Sequence, residues 1–202
     1  MNWKKHYENR VNNPESFKKF TAKYNQFINA INIYLSDYYN KYNIKSDIME
    51  LGCGIGGITK AVVSSNPNAF NMAYLFDIDS EMCELAKKNN SSDNISIQNK
   101  DLFKVLEDLF LFPMQTELII THGVLEHFSD EQLNIIASDL DYTANIHYVP
   151  LNKYKTQSFG DERLLPKEFW LDIFKPSNYK VFNNGYDLMF GNYLVDGNNR
   201  TY

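Results

Sequence analysis

The strongest constraint in this 202-residue chain is a cluster of glycines. Four of its nine glycines, Gly52, Gly54, Gly56 and Gly57, fall within six consecutive positions. Glycine is scarce elsewhere, since the chain has about 4% glycine where an average protein has about 7%. Glycine adopts backbone angles that other residues resist, and it lacks the Cβ that would hold a ligand away from the backbone. The cluster therefore indicates a tight turn at which the backbone itself touches a ligand.

The cluster lies between an apolar segment, residues 47–51, and a helical pattern, residues 58–65. Further strand-like segments occupy 72–76, 95–98, 118–121 and 144–149, with helical patterns between them and Ser129 and Pro166 as helix-start signals. This alternation predicts an α/β fold with a mostly parallel sheet and helices on both faces. Alternating polarity on either side of Asn184-Gly185 predicts an antiparallel C-terminal hairpin, which brings the sheet to seven strands.

A long amphipathic pattern precedes the first strand. Apolar and aromatic residues recur at spacings of three and four from Phe17 to Tyr38, and no proline interrupts them. This predicts one helix with a buried face. We therefore expect two regions: an N-terminal helical extension over residues 1–45, whose tyrosines would also cover a ligand pocket, and a ligand-binding domain over residues 46–202.

Charge and composition exclude several classes of protein. The formal net charge of −5 disfavours a nucleic-acid binder that relies on overall electrostatics, although a local basic patch would still permit one. The two cysteines, Cys53 and Cys83, indicate neither a disulfide scaffold nor a metal site. The N-terminus lacks the apolar segment of a signal peptide, and no apolar run reaches about 18 residues, so we expect a cytoplasmic chain without a membrane span.

The glycine spacing alone fits two cofactors. Gly52, Gly54 and Gly57 satisfy the G-x-G-x-x-G pattern of a dinucleotide binder, and Gly56 in place of Gly57 gives the G-x-G-x-G pattern of an S-adenosylmethionine binder. Asp77 lies 20 residues past Gly57, at the end of the second predicted strand, where an acidic residue suits a ribose in either case.

Four segments in sequence order favour the second cofactor, because together they resemble the class I S-adenosylmethionine-dependent methyltransferases over residues 46–195. The segments are Ile48-Met-Glu-Leu-Gly-Cys-Gly-Ile-Gly56, Phe76-Asp-Ile-Asp-Ser-Glu-Met-Cys-Glu-Leu-Ala86, Asn99-Lys-Asp-Leu102 and Ile120-Thr-His-Gly-Val-Leu-Glu-His-Phe128. The resemblance implies a Rossmann-like class I methyltransferase fold and S-adenosylmethionine as the cofactor, with S-adenosylhomocysteine as its product.

The resemblance also implies which residues bind the cofactor. Asp77 would accept hydrogen bonds from both ribose hydroxyls, Asp101 with the backbone near Leu102 would bind the adenine, and His122 would offer its backbone carbonyl to the ammonium. Arg10 would pair with the carboxylate if the N-terminal segment folds over the pocket. The remaining members of the expected set are Glu50, Gly52, Cys53, Gly54, Gly56 and Ile78.

Catalysis of methyl transfer needs a base only when the acceptor must lose a proton. His127 is the candidate, because some small-molecule N-methyltransferases of similar sequence have a histidine at the matching position that works with an N-terminal tyrosine, here Tyr7 or Tyr24. Structural packing at a helix start is the alternative for His127. His147, within a predicted strand, and the two cysteines are interpreted as structural residues.

The resemblance predicts methyl transfer to an oxygen or nitrogen atom of a small-molecule acceptor. We expect the acceptor to contact residues 1–45 and a polar segment, residues 150–165, that follows the fifth strand as a mobile loop. The Asn/Asp-Pro-Pro-Tyr/Phe motif of amino-methylating nucleic-acid enzymes is missing from the sequence. The alternatives are an RNA or protein acceptor, a non-catalytic S-adenosylmethionine-binding module and, less favoured, a nicotinamide-dependent oxidoreductase. The sequence does not determine an oligomeric state.

Overall fold

The computed structural model describes Tyr7 and residues 13–68, 70–111, 116–157 and 161–193. By its internal contacts the chain divides into two compact units, Asn2–Glu117 and Leu118–Tyr202. Within the described ranges, no helix combines the length and the apolarity needed to cross a membrane.

The first unit contains a parallel three-stranded arrangement with helices between the strands. Strand β2 lies in the middle and pairs in parallel with β1 and with β3. The elements in chain order are α1 (Pro14–Lys23), α2 (Asn25–Tyr42), β1 (Ser46–Leu51), α3 (Gly57–Ser65), β2 (Phe70–Asp77), α4 (Ser80–Asn89), β3 (Ile95–Asn99) and α5 (Leu102–Leu111).

The predicted single N-terminal helix is two helices in the structure. Helix α1 begins after Asn13, whose side chain accepts hydrogen bonds from the backbone of Glu15 and Ser16. Tyr24 separates α1 from α2, because its backbone (φ −101°, ψ 16°) departs from helical geometry. The apolar spacing of the sequence continues through this break, so periodicity alone does not reveal it.

The core of the first unit is built from the strands and the helices that cover them. Fully buried side chains come from β1, β2, α2 and α3; these are Ile48, Met49, Leu51, Ala73, Leu75, Phe27, Ile31, Leu35, Ile58 and Val62. Burial of each large apolar side chain contributes about 2 kcal/mol, which fixes β1 and β2 beneath the loop that follows β1.

The second unit combines one parallel pair of strands with an antiparallel end. Strand β4 pairs in parallel with β5, and β7 lies antiparallel between β5 and β6. The elements are β4 (Thr116–His122), a short 3₁₀ turn (Leu125–His127), α6 (Asp130–Leu140), β5 (Asn145–Pro150), α7 (Lys167–Phe174), β6 (Asn178–Phe182) and β7 (Asp187–Gly191).

The hairpin turn joins β6 to β7 at the predicted place. Asn183, Asn184 and Gly185 all have positive φ, a conformation that asparagine and glycine tolerate better than other residues. Ser129 also caps α6 as predicted, through a reciprocal hydrogen-bond pair with Gln132. The predicted fold is confirmed: a Rossmann-like α/β protein with a seven-stranded mixed sheet that includes the antiparallel C-terminal hairpin.

The segment after β5 is tied to the hairpin at its start. The Tyr154 hydroxyl donates to Oδ1 of the buried Asp187 at 3.0 Å, and Asn183 Nδ2 donates to its Oδ2 at 2.8 Å. The backbone N–H of Leu151 donates to the Tyr186 carbonyl at 2.7 Å. Leu151 and Tyr154 thus anchor the start of the segment, residues 150–165, that the sequence predicts as a mobile loop.

We predict that Asp187→Ala lowers the free energy of unfolding by about 2 kcal/mol, because it removes the acceptor of both hydrogen bonds. Tyr154→Phe removes one of these bonds and should cost about 1 kcal/mol. Urea denaturation measures both values. Tyr142→Phe, at a side chain on the surface, is the control, and equal stability of all three variants would contradict the assignment.

Candidate functional site

The loop after β1 turns sharply and hydrogen-bonds to the neighbouring strand β2. The Cys53 N–H donates to the Phe76 carbonyl at 2.9 Å, and the Gly56 N–H donates to the Cys53 carbonyl at 2.8 Å. Gly52, Gly54 and Gly56 all have positive φ, so the predicted backbone requirement for glycine is met at these positions.

Two of these glycines differ in what surrounds them. A Cβ added at Gly54 would meet no atom within 4 Å, so this side of the loop faces open space. A Cβ added at Gly56 would lie 2.6 Å from Nδ2 of Asn90 and 2.8 Å from Cδ2 of Leu75. Gly56 is therefore required by packing, whereas Gly54 leaves room for a ligand against the backbone.

Asp77 binds the glycine loop from the end of β2. Its Oδ2 accepts from the Gly54 N–H at 2.7 Å, and its Oδ1 accepts from the Asp79 N–H at 2.9 Å. Burial raises the pKa of this carboxyl, while the two backbone donors oppose the rise. Each carboxylate oxygen has a second lone pair, so Asp77 can still accept two hydroxyl hydrogen bonds while it holds the loop.

Ile78 follows Asp77 and is one of the most exposed apolar side chains in the described part of the chain, with 71% of its surface accessible. Asn99, at the end of β3, fixes the backbone there: its Nδ2 donates to the carbonyls of Asp77 and Ile78 at 3.0 and 2.8 Å. An exposed apolar side chain on a rigid turn beside a carboxylate suits a ligand with a flat ring next to hydroxyl groups.

Asp101 and Leu102 occupy the turn from β3 into α5. Oδ1 of Asp101 accepts from the Phe103 N–H at 2.9 Å, so this carboxylate caps the first turn of the helix. Among the described residues, no hydrogen bond to its second oxygen is observed. Leu102 is buried, which places its side chain in the core and leaves only its backbone for the ligand contact that the sequence predicts.

Glu50 is a buried acid at the end of β1. Its Oε2 accepts hydrogen bonds from the backbone N–H and the hydroxyl of Thr59, in the first turns of α3. Burial raises the pKa of Glu50 to about 7, and the Asp77 charge adds to the rise, while the Thr59 bonds lower it. Glu50 therefore links the strand to the helix behind the glycine loop and exchanges its proton near neutral pH.

Two asparagines that sequence reasoning missed support the loop from the end of α4. Asn89 Nδ2 donates to the Ile55 carbonyl at 2.8 Å, and Asn90 Nδ2 donates to the same carbonyl at 3.4 Å. Lys60 Nζ donates to Oδ1 of Asn89 at 2.7 Å, which joins α3 to α4. No sequence motif marks these residues, because their role depends on where α4 ends.

The N-terminal aromatic residues pack against the glycine loop. Tyr7 contacts the cluster of Ile55, Met82 and Leu85. The Phe20 ring lies so close to Gly57 that an added Cβ would be 2.9 Å from its Cε1. Tyr24 contacts Phe20, with 4.8 Å between the ring centroids. Tyr7 is thus next to the loop and Tyr24 one side chain away from it, while Arg10 lies outside the described residues.

In the second unit, the end of β4 carries a glycine with positive φ, Gly123, next to a buried acid. An added Cβ at Gly123 would lie 3.6 Å from Oε1 of Glu126, and burial raises the pKa of Glu126 to about 8. His122 is the last residue of β4, and its ring lies 4.9 Å from that of Tyr148. Whether its carbonyl meets a ligand stays a prediction.

His127 ends the 3₁₀ turn and forms a pair that the sequence did not indicate. Its Nδ1 lies 2.8 Å from Oδ1 of Asp161, and 24% of its side chain is exposed. The arrangement resembles the histidine–carboxylate pairs of general bases. Tyr7 and Tyr24 belong to the other compact unit, so their cooperation with His127 stays a prediction.

The remaining histidine and the cysteines have structural surroundings. His147 is fully buried between Phe174 and Phe190, its Nδ1 lies 2.9 Å from the Thr121 hydroxyl, and burial lowers its pKa to about 3. Burial also raises the thiol pKa of both Cys53 and Cys83, so neither is a thiolate at neutral pH.

We expect Glu50 to make stability depend on pH. Its folded-state pKa of about 7 lies above the ordinary value of 4.5, so the folded state keeps a proton that the unfolded chain releases. The free energy of unfolding should fall as pH rises from about 4.5 to about 7, by about 3 kcal/mol from this group. Glu50→Gln should remove this contribution, while the contribution of Glu126, whose pKa burial raises to about 8, should remain.

Urea denaturation at several pH values between about 5 and 8 measures this dependence. Glu168→Gln, at a surface carboxyl, is the control and should retain the decrease. An unchanged slope in Glu50→Gln would show that Glu50 is already ionised in the folded protein.

Known proteins are similar in sequence to part of this chain. A protein-family model described as a methyltransferase domain matches residues 48–141, from β1 to the end of α6. The malonyl-[acyl-carrier protein] O-methyltransferase of Bacillus cytotoxicus is 27% identical over 126 residues, which are 59% of this chain and 42% of that protein. The chain thus spans less than half the length of this curated relative.

Solved structures share the fold at low sequence identity. The PH0226 protein of Pyrococcus horikoshii OT3 aligns with a TM-score of 0.59 and 14% identity, over 91% of this chain and 93% of that chain. Human N-acetylserotonin methyltransferase, solved in complex with S-adenosylmethionine, aligns with a TM-score of 0.55 and 15% identity, over 87% and 59%.

The family match covers the segments that form the loop after β1, the Asp77 turn and the end of β4. The structural neighbours share the arrangement of strands that carries these segments. The match over residues 48–141 indicates the class I S-adenosylmethionine-dependent methyltransferase family.

Proposed function

We propose that the chain transfers a methyl group from S-adenosylmethionine to an oxygen or nitrogen atom of a small-molecule acceptor. One observation carries the cofactor assignment: the open side of Gly54, whose N–H is bound 2.7 Å from the Asp77 carboxylate. The Gly54 backbone, which carries no side chain, therefore lies beside a carboxylate that can accept hydrogen bonds from hydroxyl groups. A ribose with its attached chain fits such a pair.

Each residue around this pair would bind a different part of the cofactor. Asp77 would accept the ribose hydroxyls, Ile78 would cover one face of the adenine, and Asp101 would accept from the adenine amine. Gly52 and Gly54 would lie along the methionine part, with Cys53 and Gly56 setting the path of the loop. Glu50 would supply negative charge behind the loop, which favours a ligand that carries a sulfonium.

The cofactor, when bound, supplies an electrophilic methyl group on a positively charged sulfur. The leaving thioether is neutral and needs no acid, so the chain's main contributions are alignment and exclusion of water, which together can provide about 7–11 kcal/mol. His127 would take the proton of an acceptor hydroxyl or amine. Tyr7 or Tyr24 would assist it, as parts of an N-terminal extension, residues 1–45, that covers the site.

Two considerations favour a small acceptor. The chain is acidic, with a formal charge of −5, which opposes binding to a nucleic acid backbone. Within residues 150–165, the segment expected to contact the acceptor, Tyr154 is hydrogen-bonded to Asp187 and so anchors its part of the segment to the hairpin. The curated relative is named for O-methylation of malonyl-[acyl-carrier protein], so acyl groups on a carrier protein belong among the acceptors to be tested.

Calorimetric titration tests the cofactor assignment. We expect S-adenosylhomocysteine to bind at micromolar to sub-millimolar concentration. Asp77→Ala should weaken binding about 100-fold, because it removes charge-assisted hydrogen bonds. Gly54→Ala should weaken binding by at least about tenfold, because the new methyl group occupies the open side of the loop.

Two controls separate binding from folding. Asp93→Ala, at an exposed position of the same unit, should leave binding unchanged, and Gly56→Ala should mainly reduce stability because of its clash with Leu75. If the wild-type protein shows no binding of S-adenosylhomocysteine, and reduced nicotinamide cofactor binds in its place, the proposal is wrong and the oxidoreductase reading replaces it.

The acceptor class is tested by a panel assay that measures S-adenosylhomocysteine release with pooled metabolites, acyl-carrier substrates, tRNA and protein extract. We expect turnover with the metabolite pool. His127→Gln should then reduce the rate about 100-fold or more while cofactor affinity stays the same.

Other outcomes of the panel assay would change the proposed acceptor or the proposed role of His127. Turnover with tRNA or protein alone would replace the small-molecule acceptor, and cofactor binding without turnover anywhere would favour a non-catalytic binding module. An unchanged rate in His127→Gln would show that this histidine is structural.

A further inference from the structure

We propose that Asp161 is a positioning residue for His127: it accepts a hydrogen bond from Nδ1–H and so leaves Nε2 as the nitrogen that takes a proton. The inference rests on the proposed role of His127 and adds the residue that determines which ring nitrogen is basic. Nothing in the sequence motif containing His127 indicates Asp161, which lies 34 positions later in the chain.

The geometry of the pair favours one tautomer of the imidazole. His127 Nδ1 and Asp161 Oδ1 are 2.8 Å apart, which is a hydrogen bond. An ionised carboxylate only accepts hydrogen bonds, so the shared proton must reside on Nδ1. The hydrogen bond from His127 holds the pKa of Asp161 below its usual value, so this acceptor is ionised at neutral pH. A neutral imidazole protonated at Nδ1 has its free lone pair on Nε2.

Asp161 is a mostly exposed side chain, and its segment is held in place by the next residues. The Arg163 N–H donates to the Glu126 carbonyl at 2.8 Å, directly beside His127. The Arg163 guanidinium donates to the Phe128 carbonyl, pairs with Asp130 and lies over the ring of Phe169. These contacts fasten residues 161–163 along the 3₁₀ turn, which keeps Asp161 within reach of the imidazole.

Several charged groups surround the pair, and they act in different ways. Glu126 is buried next to His127 and retains its proton up to a pKa of about 8, so it adds little charge at neutral pH. Glu162 and Asp130 are further acids near the turn, and Arg163 is a cation that the described contacts place there. Asp161 is the acid that forms a hydrogen bond to the ring.

A base with a fixed lone pair limits the acceptor chemistry. As the acceptor forms its bond to the methyl carbon, the carbon–sulfur bond breaks, its electron pair stays on the sulfur, and the acceptor proton moves to Nε2. An acceptor hydroxyl or amine requires this proton transfer, whereas a carboxylate does not. The pair therefore favours hydroxyl or amine acceptors over the free carboxylates of acyl groups.

Nitrogen NMR of the ¹⁵N-labelled full chain tests the inference without cofactor or acceptor. Long-range ¹H–¹⁵N spectra at a pH of about 9, above the ordinary titration range of histidine, report which ring nitrogen carries the proton. The His127 signals are identified by their loss in His127→Gln. We expect Nδ1–H in the wild-type protein and, in Asp161→Ala, a fraction of this tautomer reduced by at least about twofold.

Asp172→Ala, at an exposed acid of α7, is the matched control and should leave the tautomer unchanged. The signals of the buried His147 should be the same in every variant, which confirms that each one is folded. Wild-type His127 protonated at Nε2, or an unchanged tautomer in Asp161→Ala, would overturn the inference. Because no cofactor is present, this result is independent of the calorimetric test of the proposed function.

Discussion

The hydrogen bond between the Gly54 N–H and the Asp77 carboxylate is the interaction on which the candidate site depends. It joins the turn after β1 to the end of β2, two neighbouring parallel strands whose pairing already places their carboxyl ends together. The carboxylate thereby has two tasks, because it fixes the loop and remains able to accept from a ligand. The arrangement explains why the loop needs glycine at its open side. It also explains why an acid, Asp77, lies opposite that side.

Support for this interaction comes from behind the loop. Glu50 and Thr59 connect β1 to α3, and Asn89 and Asn90 connect the end of α4 to the carbonyl of Ile55. These contacts immobilise the back of the turn before any ligand arrives. A ligand that binds a preformed loop has less conformational entropy to overcome, which is the physical benefit of placing polar side chains where the backbone would otherwise be free to move.

Much of the fold could be predicted from the sequence, since β1, α4 and the hairpin around Asn184 have strong local signals in periodicity, capping and turn residues. The ends of strands could not be predicted from apolar segments alone, since β2 and β4 each extend beyond theirs. The break at Tyr24 was missed because it leaves the spacing of apolar residues intact. For the site, the motif residues Gly54 and Asp77 were identified, whereas Asp161 and Asn99 were not, because only the folded chain brings them to their partners.

The two buried acids have a consequence for the charge of the folded protein. The formal net charge of −5 counts every carboxyl as ionised. With pKa values of about 7 for Glu50 and about 8 for Glu126, part of that charge is absent from the native state near neutrality. The native protein is therefore less negative than its composition states, by roughly one to two elementary charges. Its electrophoretic mobility is correspondingly smaller, and its isoelectric point lies above the value that counting residues gives.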